Sequence, residues 1–307
     1  MISRSPGLIA LLVCLLACTS FVSAKTPHFS TINYPDAAQT YALGINPAGD
    51  IVGAYDDFLS HEHGFVLRNG EFTSFDWPNA NWTAGYGINS RGDIVGQYGW
   101  SESGINTTHG FLLRDGVLYP VDIPGQQNTM PFKISPEGMI VGCNHHNVTN
   151  SGGTDLNTMM GFTLDTAGVT NQTMVRSMNL GVNPEGDVVG YYFGIPGGPT
   201  SSRAEWSYLI SNGVTTWFQF PGAYATLATD ISPTGEIVGR YRFQTPAALH
   251  GFVLKDGEFE SFDVPGATQT FPFSISAPGD IVGYYVVGTG ATAVYHGFLL
   301  SGRGRPE

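Results

Sequence analysis

Two segments concentrate side chains that bind metals. Asp56, Asp57, His61 and Glu62 stand within seven positions, and His145 and His146 open a Asn-, Ser- and Gly-rich stretch that ends near Asp155. Imidazole nitrogens and carboxylate oxygens suit a divalent cation, and such a site at the mouth of an axial channel would serve a secreted metal-dependent hydrolase or lactonase. A second set is aromatic: Tyr34, Trp77, Trp82, Trp100 and Trp206, with Trp77 and Trp82 flanking Pro-Asn-Ala-Asn. Flat rings beside amides and hydroxyls suit sugar rings, which need stacking on one face and polar partners at the edge. No Gly-x-Ser-x-Gly elbow and no phosphate-binding glycine loop is present, and the acids that follow turn glycines lack the spacing of a calcium loop.

The elements that must hold these residues repeat. GINPAGDIVG (44–53) recurs as GINSRGDIVG (87–96), KISPEGMIVG (133–142), GVNPEGDVVG (181–190), DISPTGEIVG (230–239) and SISAPGDIVG (274–283). A second block follows each: HGFVLRNGEF (63–72), HGFLLRDGVL (109–118), MGFTLDTAGV (160–169), WSYLISNGV (206–214), HGFVLKDGEF (250–259) and HGFLLSG (296–302). Each repeat reads as four short strands, a to d. Asn46-Pro47-Ala48-Gly49 and Arg68-Asn69-Gly70 are tight hairpin signals, because Pro pre-sets one turn residue and Gly accepts the left-handed one. Four antiparallel strands in about 45 residues is the size of one propeller blade. The expected fold is all-β, a six-bladed β-propeller. Phe29 to Tyr34 is a strand d with no predecessor and His296 to Ser301 a strand c with no successor, so the N-terminal strand is expected to pair with the last blade and close it.

Repetition also tempers the chemistry. His63, His109, His250 and His296 recur blade after blade, which suggests a structural bond from each imidazole to a neighbouring loop backbone. The same logic makes Asp50, Asp93, Asp187 and Asp280 turn residues. Asn33, Asp76, Asp122, Gln219 and Asp263 would bond between blades or ring a ligand. Thr40, Thr83, Thr129, Ser177, Thr226 and Thr270 would form a hydroxyl ring or serve the repeat. His61, His145 and His146 stand outside the repeat and keep the metal reading open.

These blocks resemble the bacterial "HAF" family of extracellular repeat proteins, in which a His-Ala-Phe triplet recurs. The likeness runs from residue 25 to the end, with His-Gly-Phe in four repeats and departures at Met160-Gly161-Phe162 and Trp206-Ser207-Tyr208. It implies export and a repeat fold, and brings no catalytic residue with it.

The first 24 residues agree. Arg4, the apolar Leu8–Leu16 and the small-residue site Val22-Ser23-Ala24 form a signal peptide, leaving 25–307 as one six-repeat domain. Leu15-Leu16-Ala17-Cys18 offers a second route, a lipid anchor at Cys18. Both place the protein outside the cytoplasm, secreted, periplasmic or on the cell envelope. Cys143 would then be the one cysteine of the soluble form, packed as a core residue.

Of 307 residues, 42% are apolar and only 12% charged, with 41 Gly and 19 Pro, which fits a cored, turn-rich β protein and excludes a long helical one. The net charge of −12 disfavours nucleic acid, and no segment is long and apolar enough for a transmembrane span. The expected function is an exported binding or interaction propeller, its partner a carbohydrate or an extracellular protein. The alternatives are the metal-dependent enzyme and a carbohydrate-binding module.

Overall fold

A computed structural model describes residues 27–102, 105–147, 155–198 and 204–303. The signal peptide over 1–24 and the anchor residue Cys18 lie outside the described residues. Strand β1 (His28–Ile32) precedes a first repeat of β2 (Gln39–Ile45), β3 (Ile51–Asp56), β4 (Glu62–Arg68) and β5 (Glu71–Phe75). The second is β6 (Trp82–Ile88), β7 (Ile94–Glu102), β8 (Ile105–Arg114) and β9 (Val117–Val121). The third is β10 (Asn128–Ile134), β11 (Ile140–His145), β12 (Met160–Leu164) and β13 (Thr170–Val175). The fourth is β14 (Ser177–Val182), β15 (Val188–Phe193), β16 (Glu205–Ser211) and β17 (Val214–Phe218). The fifth is β18 (Ala225–Ile231), β19 (Ile237–Arg242), β20 (His250–Lys255) and β21 (Glu258–Phe262). Last come β22 (Gln269–Ile275), β23 (Ile281–Val287) and β24 (Val294–Ser301).

The strands pair as antiparallel four-stranded blades of a β-propeller. Four sheets have four strands each, while the fourth and fifth repeats share one eight-stranded sheet. Its link is a single parallel bridge between Glu205 and Ala225, so two of the expected separate blades touch through backbone. β1 pairs antiparallel with β24, with His28 opposite Ser301 and Ile32 opposite Gly297. The first strands are almost wholly buried and the last strands, such as β5 and β21, largely exposed. First strands therefore lie innermost. β2 packs on β6, and so on through β10, β14, β18 and β22, and β22 packs back on β2.

The two sequence blocks are two halves of one contact. A Cβ on Gly53 would lie 1.9 Å from the Tyr41 carbonyl oxygen and 2.9 Å from the Phe65 ring. At Gly96 it would meet the Ala84 oxygen at 2.2 Å and Phe111 at 2.4 Å, and at Gly283 the Phe271 oxygen at 2.0 Å and Phe298 at 2.8 Å. Phe65, Phe111, Phe162, Phe252 and Phe298 are fully buried by this arrangement. In the fourth repeat Tyr208 takes the place, and its hydroxyl bonds the Met178 carbonyl at 2.9 Å and Asn179 Oδ1 at 2.6 Å, which satisfies the buried oxygen.

The hairpin turns follow the expected chemistry. Asn46 Oδ1 accepts the N–H groups of Ala48 and Asp50 at 3.0 and 2.9 Å, and Gly49 takes φ +89°. Asn46 Nδ2 also reaches the Asn89 carbonyl at 3.4 Å, and Asn89 reaches the Ser135 carbonyl at 3.3 Å, so the turns hold neighbouring blades together. Each first strand carries a β-bulge, between Ala42 and Gly44 in the first repeat. The bulge residues Leu43, Tyr86, Phe132, Leu180, Thr229 and Phe273 meet around one small space on the axis.

Candidate functional site at the mouth of the axis

The repeated histidines are committed within their own blades. His63 Nδ1 lies 3.0 Å from Asp76, His109 Nδ1 3.1 Å from Asp122 and His250 Nδ1 2.8 Å from Asp263. His296 Nδ1 lies 2.9 Å from Asn33 Oδ1. The expectation of a bond to loop backbone is corrected here: strands c and d are neighbours, so imidazole and acid meet across the sheet. The acids of that column are thereby engaged inside a blade, and not between blades. The threonine column is engaged as well. Thr40 Oγ1 accepts the Tyr34 N–H at 2.9 Å, Thr83 the Trp77 N–H at 2.9 Å and Thr226 the Phe220 N–H at 2.9 Å. These hydroxyls pin the d–a turns and form no polar ring on the axis.

The metal candidates divide. Asp57 Oδ1 accepts the His61 N–H at 2.9 Å and the Leu59 N–H at 2.7 Å, and these backbone bonds hold its carboxyl below the usual range. Its other oxygen stands 3.6 Å from His61 and 3.8 Å from His63. Asp56 faces inward, accepts the Tyr41 hydroxyl at 3.2 Å, and is raised by burial. His145 and His146 lie in another blade. His145 is buried at the end of β11, donates from Nδ1 to the His146 carbonyl at 3.1 Å, and burial lowers its pKa. Among the described residues no three His, Cys, Asp or Glu side chains are grouped so as to hold a metal ion.

The aromatic candidates also divide. Tyr34 stacks on Tyr55 at 3.7 Å and Trp77 on Tyr98 at 3.9 Å, as Phe220 stacks on Tyr241 at 3.6 Å. Each ring at the end of a fourth strand thus packs on the second strand of the next repeat, and burial of Tyr98 pushes its phenol up to about 12. Trp100 donates Nε1–H to the Asn79 carbonyl at 2.9 Å and meets Tyr98 edge-on. Trp206 on β16 stands opposite Tyr192 on β15. Trp82 and Trp77 line a groove of about 330 Å³ together with His61, Glu62, His63 and Asp76. Four candidates read from sequence, His61, Glu62, Trp77 and Trp82, therefore share one surface site with His63 and Asp76 of the repeat columns.

Behind that groove lies a cavity of about 170 Å³ at the loop-side end of the axis, walled by Tyr41, Leu43, Ala54, Ala84, Tyr86, Phe273 and Tyr284. Glu62 lines both spaces. Its carboxyl is pushed up to about 7, first by burial and then by the charge of Asp56 opposite it in the β3–β4 pair. Only burial and charge act on Glu62; no hydrogen bond from another described residue contributes. Sequence reading noted Glu62 as one of four polar loop residues and missed its central place. The available signal was its position directly before the His-Gly-Phe triplet, where Thr108, Glu205 and Tyr295 stand in other repeats.

Deeper on the axis, Lys133, Asp230 and Ser274 come together from three blades. Lys133 Nζ is in contact with Asp230 Oδ2 and donates to Ser274 Oγ at 2.7 Å, and Ser274 Oγ lies 2.7 Å from Asp230 Oδ2. The Ile275 N–H at 3.0 Å and the Ile231 N–H at 2.9 Å add to the carboxylate's shell. In the turn blocks these three occupy the position that is Gly44, Gly87 and Gly181 elsewhere. A Cβ on Gly181 would lie 2.6 Å from the Asp230 Cα, so the glycines give the three polar side chains their room.

No protein-family model matches the sequence, and no curated protein matches it. Among solved structures the chain is similar to TolB from Acinetobacter baumannii, with a TM-score of 0.55 and 13% identity over 89% of this chain; it spans 65% of the TolB chain. It is also similar to a triple arginine-to-alanine variant of AofleA from Arthrobotrys oligospora, with a TM-score of 0.51 and 11% identity over 92% of this chain and 88% of that one. At such identities the likeness carries the β-propeller fold alone. No helix among the described residues is long and apolar enough to cross a membrane.

Proposed function

We propose that this protein is an exported ligand-binding β-propeller, a closed ring of six blades whose ligand lies at the loop-side mouth, in the groove between Trp82 and His61. The observation that carries the reading is Glu62, an acid that no described residue hydrogen-bonds and that faces both the groove and the axial cavity. The repeat-derived histidines and threonines nearby are already engaged, and Glu62 is left with recognition capacity. Export is supported by the Arg4, Leu8–Leu16 and Val22-Ser23-Ala24 pattern and by the likeness to the HAF family, with release after Ala24 or anchoring at Cys18 as its two forms. The six-blade ring is supported by six repeats, by β1 on β24 and by β22 packing on β2.

Carbohydrate is the ligand class the groove suits best. Trp82 offers ring area, and Asn79, Asn81 and Asp76 stand in the same wall. A thermal-shift series against cello-, chito-, manno- and xylo-oligosaccharides tests this, since a ligand of the native state raises Tm. The expected result is a rise with one glycan that Trp82→Ala abolishes. A flat response to all four, or a rise that Trp82→Ala leaves intact, overturns it.

A further inference from the structure

The axial cavity differs in chemistry from the groove beside it. Four of its wall residues are aromatic, Tyr41, Tyr86, Phe273 and Tyr284, and Glu62 brings the one carboxyl. Tyr41 and Tyr284 meet edge to face at 5.1 Å, which fixes two walls at a right angle. At about 170 Å³ the space holds a headgroup and not a drug-sized molecule, whose pockets run roughly 300–1,000 Å³. We propose that this cavity is an aromatic cage for a methylated ammonium group, with Glu62 as its counter-ion.

Three observations select that class. Ring faces attract cations through their quadrupole, and an aromatic box with an acid is the arrangement that quaternary ammonium recognition uses. One wall ring already shows this behaviour, because the Arg240 guanidinium on β19, whose charge also acts on Tyr284, stands 5.5 Å over Phe273. A primary ammonium carries three N–H donors, and the cavity wall offers it one carboxyl and phenol oxygens; a methylated nitrogen has fewer or no donors to satisfy and gains from every ring. The net charge of −12 draws cations to the molecule.

The charges that face Glu62 set a further signature. Asp56 on β3 opposes its ionisation, His63 on its own strand favours it, and the phenols of Tyr41, Tyr86 and Tyr284 on β2, β6 and β23 line the space around it. A bound cation favours the carboxylate, so binding near pH 7 releases a proton to buffer.

The inference shares Glu62 with the proposed mouth site, and its test is separate. Choline and tetramethylammonium are titrated calorimetrically into the full chain at pH 7 in two buffers of different ionisation enthalpy, with 3,3-dimethylbutanol as the uncharged analogue of choline. Expected are binding of both cations, none of the alcohol, and an apparent enthalpy that changes with buffer. Glu62→Gln should weaken choline about tenfold or more and abolish the buffer dependence, while Tyr86→Leu weakens it similarly and Tyr86→Phe keeps it. Equal binding of choline and the alcohol, no binding of either cation, or a buffer dependence that survives Glu62→Gln overturns the cage. A Trp82-dependent sugar response without ammonium binding removes the cage and keeps the groove; ammonium binding without a sugar response does the reverse.

Discussion

His296 Nδ1 and Asn33 Oδ1 lie 2.9 Å apart although 263 residues separate them in the chain. They occupy the positions that His63 and Asp76, 13 residues apart, occupy in the first repeat. The last blade is thus built like the others, with its outer strand supplied from the other end of the chain. Ile32 is buried there, beneath β24 and against Ala42 of the first repeat.

Ile32→Ala is therefore expected to lower global stability by about 2–4 kcal/mol, as for a core deletion, and not merely to fray a terminus. Urea denaturation followed by tryptophan fluorescence measures it. An unchanged midpoint would mean that β1 contributes nothing to the ring.

The axial lock makes a paired expectation. Asp230→Ala leaves Lys133 buried without its partner and should cost about 3–5 kcal/mol. Lys133→Met together with Asp230→Ala removes both charges and should recover most of that loss. If the double variant is as unstable as the single one, the loss comes from packing and not from an uncompensated charge.

Gly96→Ala places a methyl 2.2 Å from the Ala84 carbonyl and against Phe111, with backbone on one side and a fully buried ring on the other. A loss of about 1–3 kcal/mol or more is expected, against about 0.5 or less for Ser90→Ala on the exposed turn. Matching melting curves for the two variants would show that the blade accommodates the methyl.

Glu62 supplies a pH dependence of known sign. Its folded pKa of about 7 stands above the ordinary 4.5, so the protonated form is the one the fold favours. Its contribution is complete below pH 4.5 and is lost as pH rises through 7. Compared with Glu62→Gln, the natural chain should lose of order 1–3 kcal/mol between those limits. His145, whose pKa burial lowers, contributes with the opposite sign, and the comparison cancels it because both chains carry it. Parallel stability curves for the two chains from pH 4 to about 9 would exclude a raised Glu62.

The repeat made much of this fold readable. The turn glycines, the four-strand unit and the out-of-phase ends can be seen in the spacing of GDIVG and HGF blocks, because each reports a local requirement: a left-handed turn, or a Cβ that would strike a carbonyl. The His–Asp pairs were legible too, as a constant interval of 13 residues across the c–d hairpin, but reading them needed the register that sets Gly64 opposite Phe75. What escaped was the axis. Lys133 lies 97 residues from Asp230 and 141 from Ser274, and nothing local in the three turn blocks says that their side chains converge. Glu62 escaped for a similar reason: its burial depends on Tyr86 and Tyr284, which come from two other blades.

Lys133, Asp230 and Ser274 meet from three blades beneath the cavity, which makes the proposed mouth site a cup and not the entrance to a pipe. For the proposed guest this means one doorway for entry and exit, with its head toward Tyr86 and any tail out past Glu62 toward Trp82. Traffic from one face to the other would have to part Lys133 from Asp230, the most deeply buried ion pair among the described residues, so the proposed site is one that holds and releases.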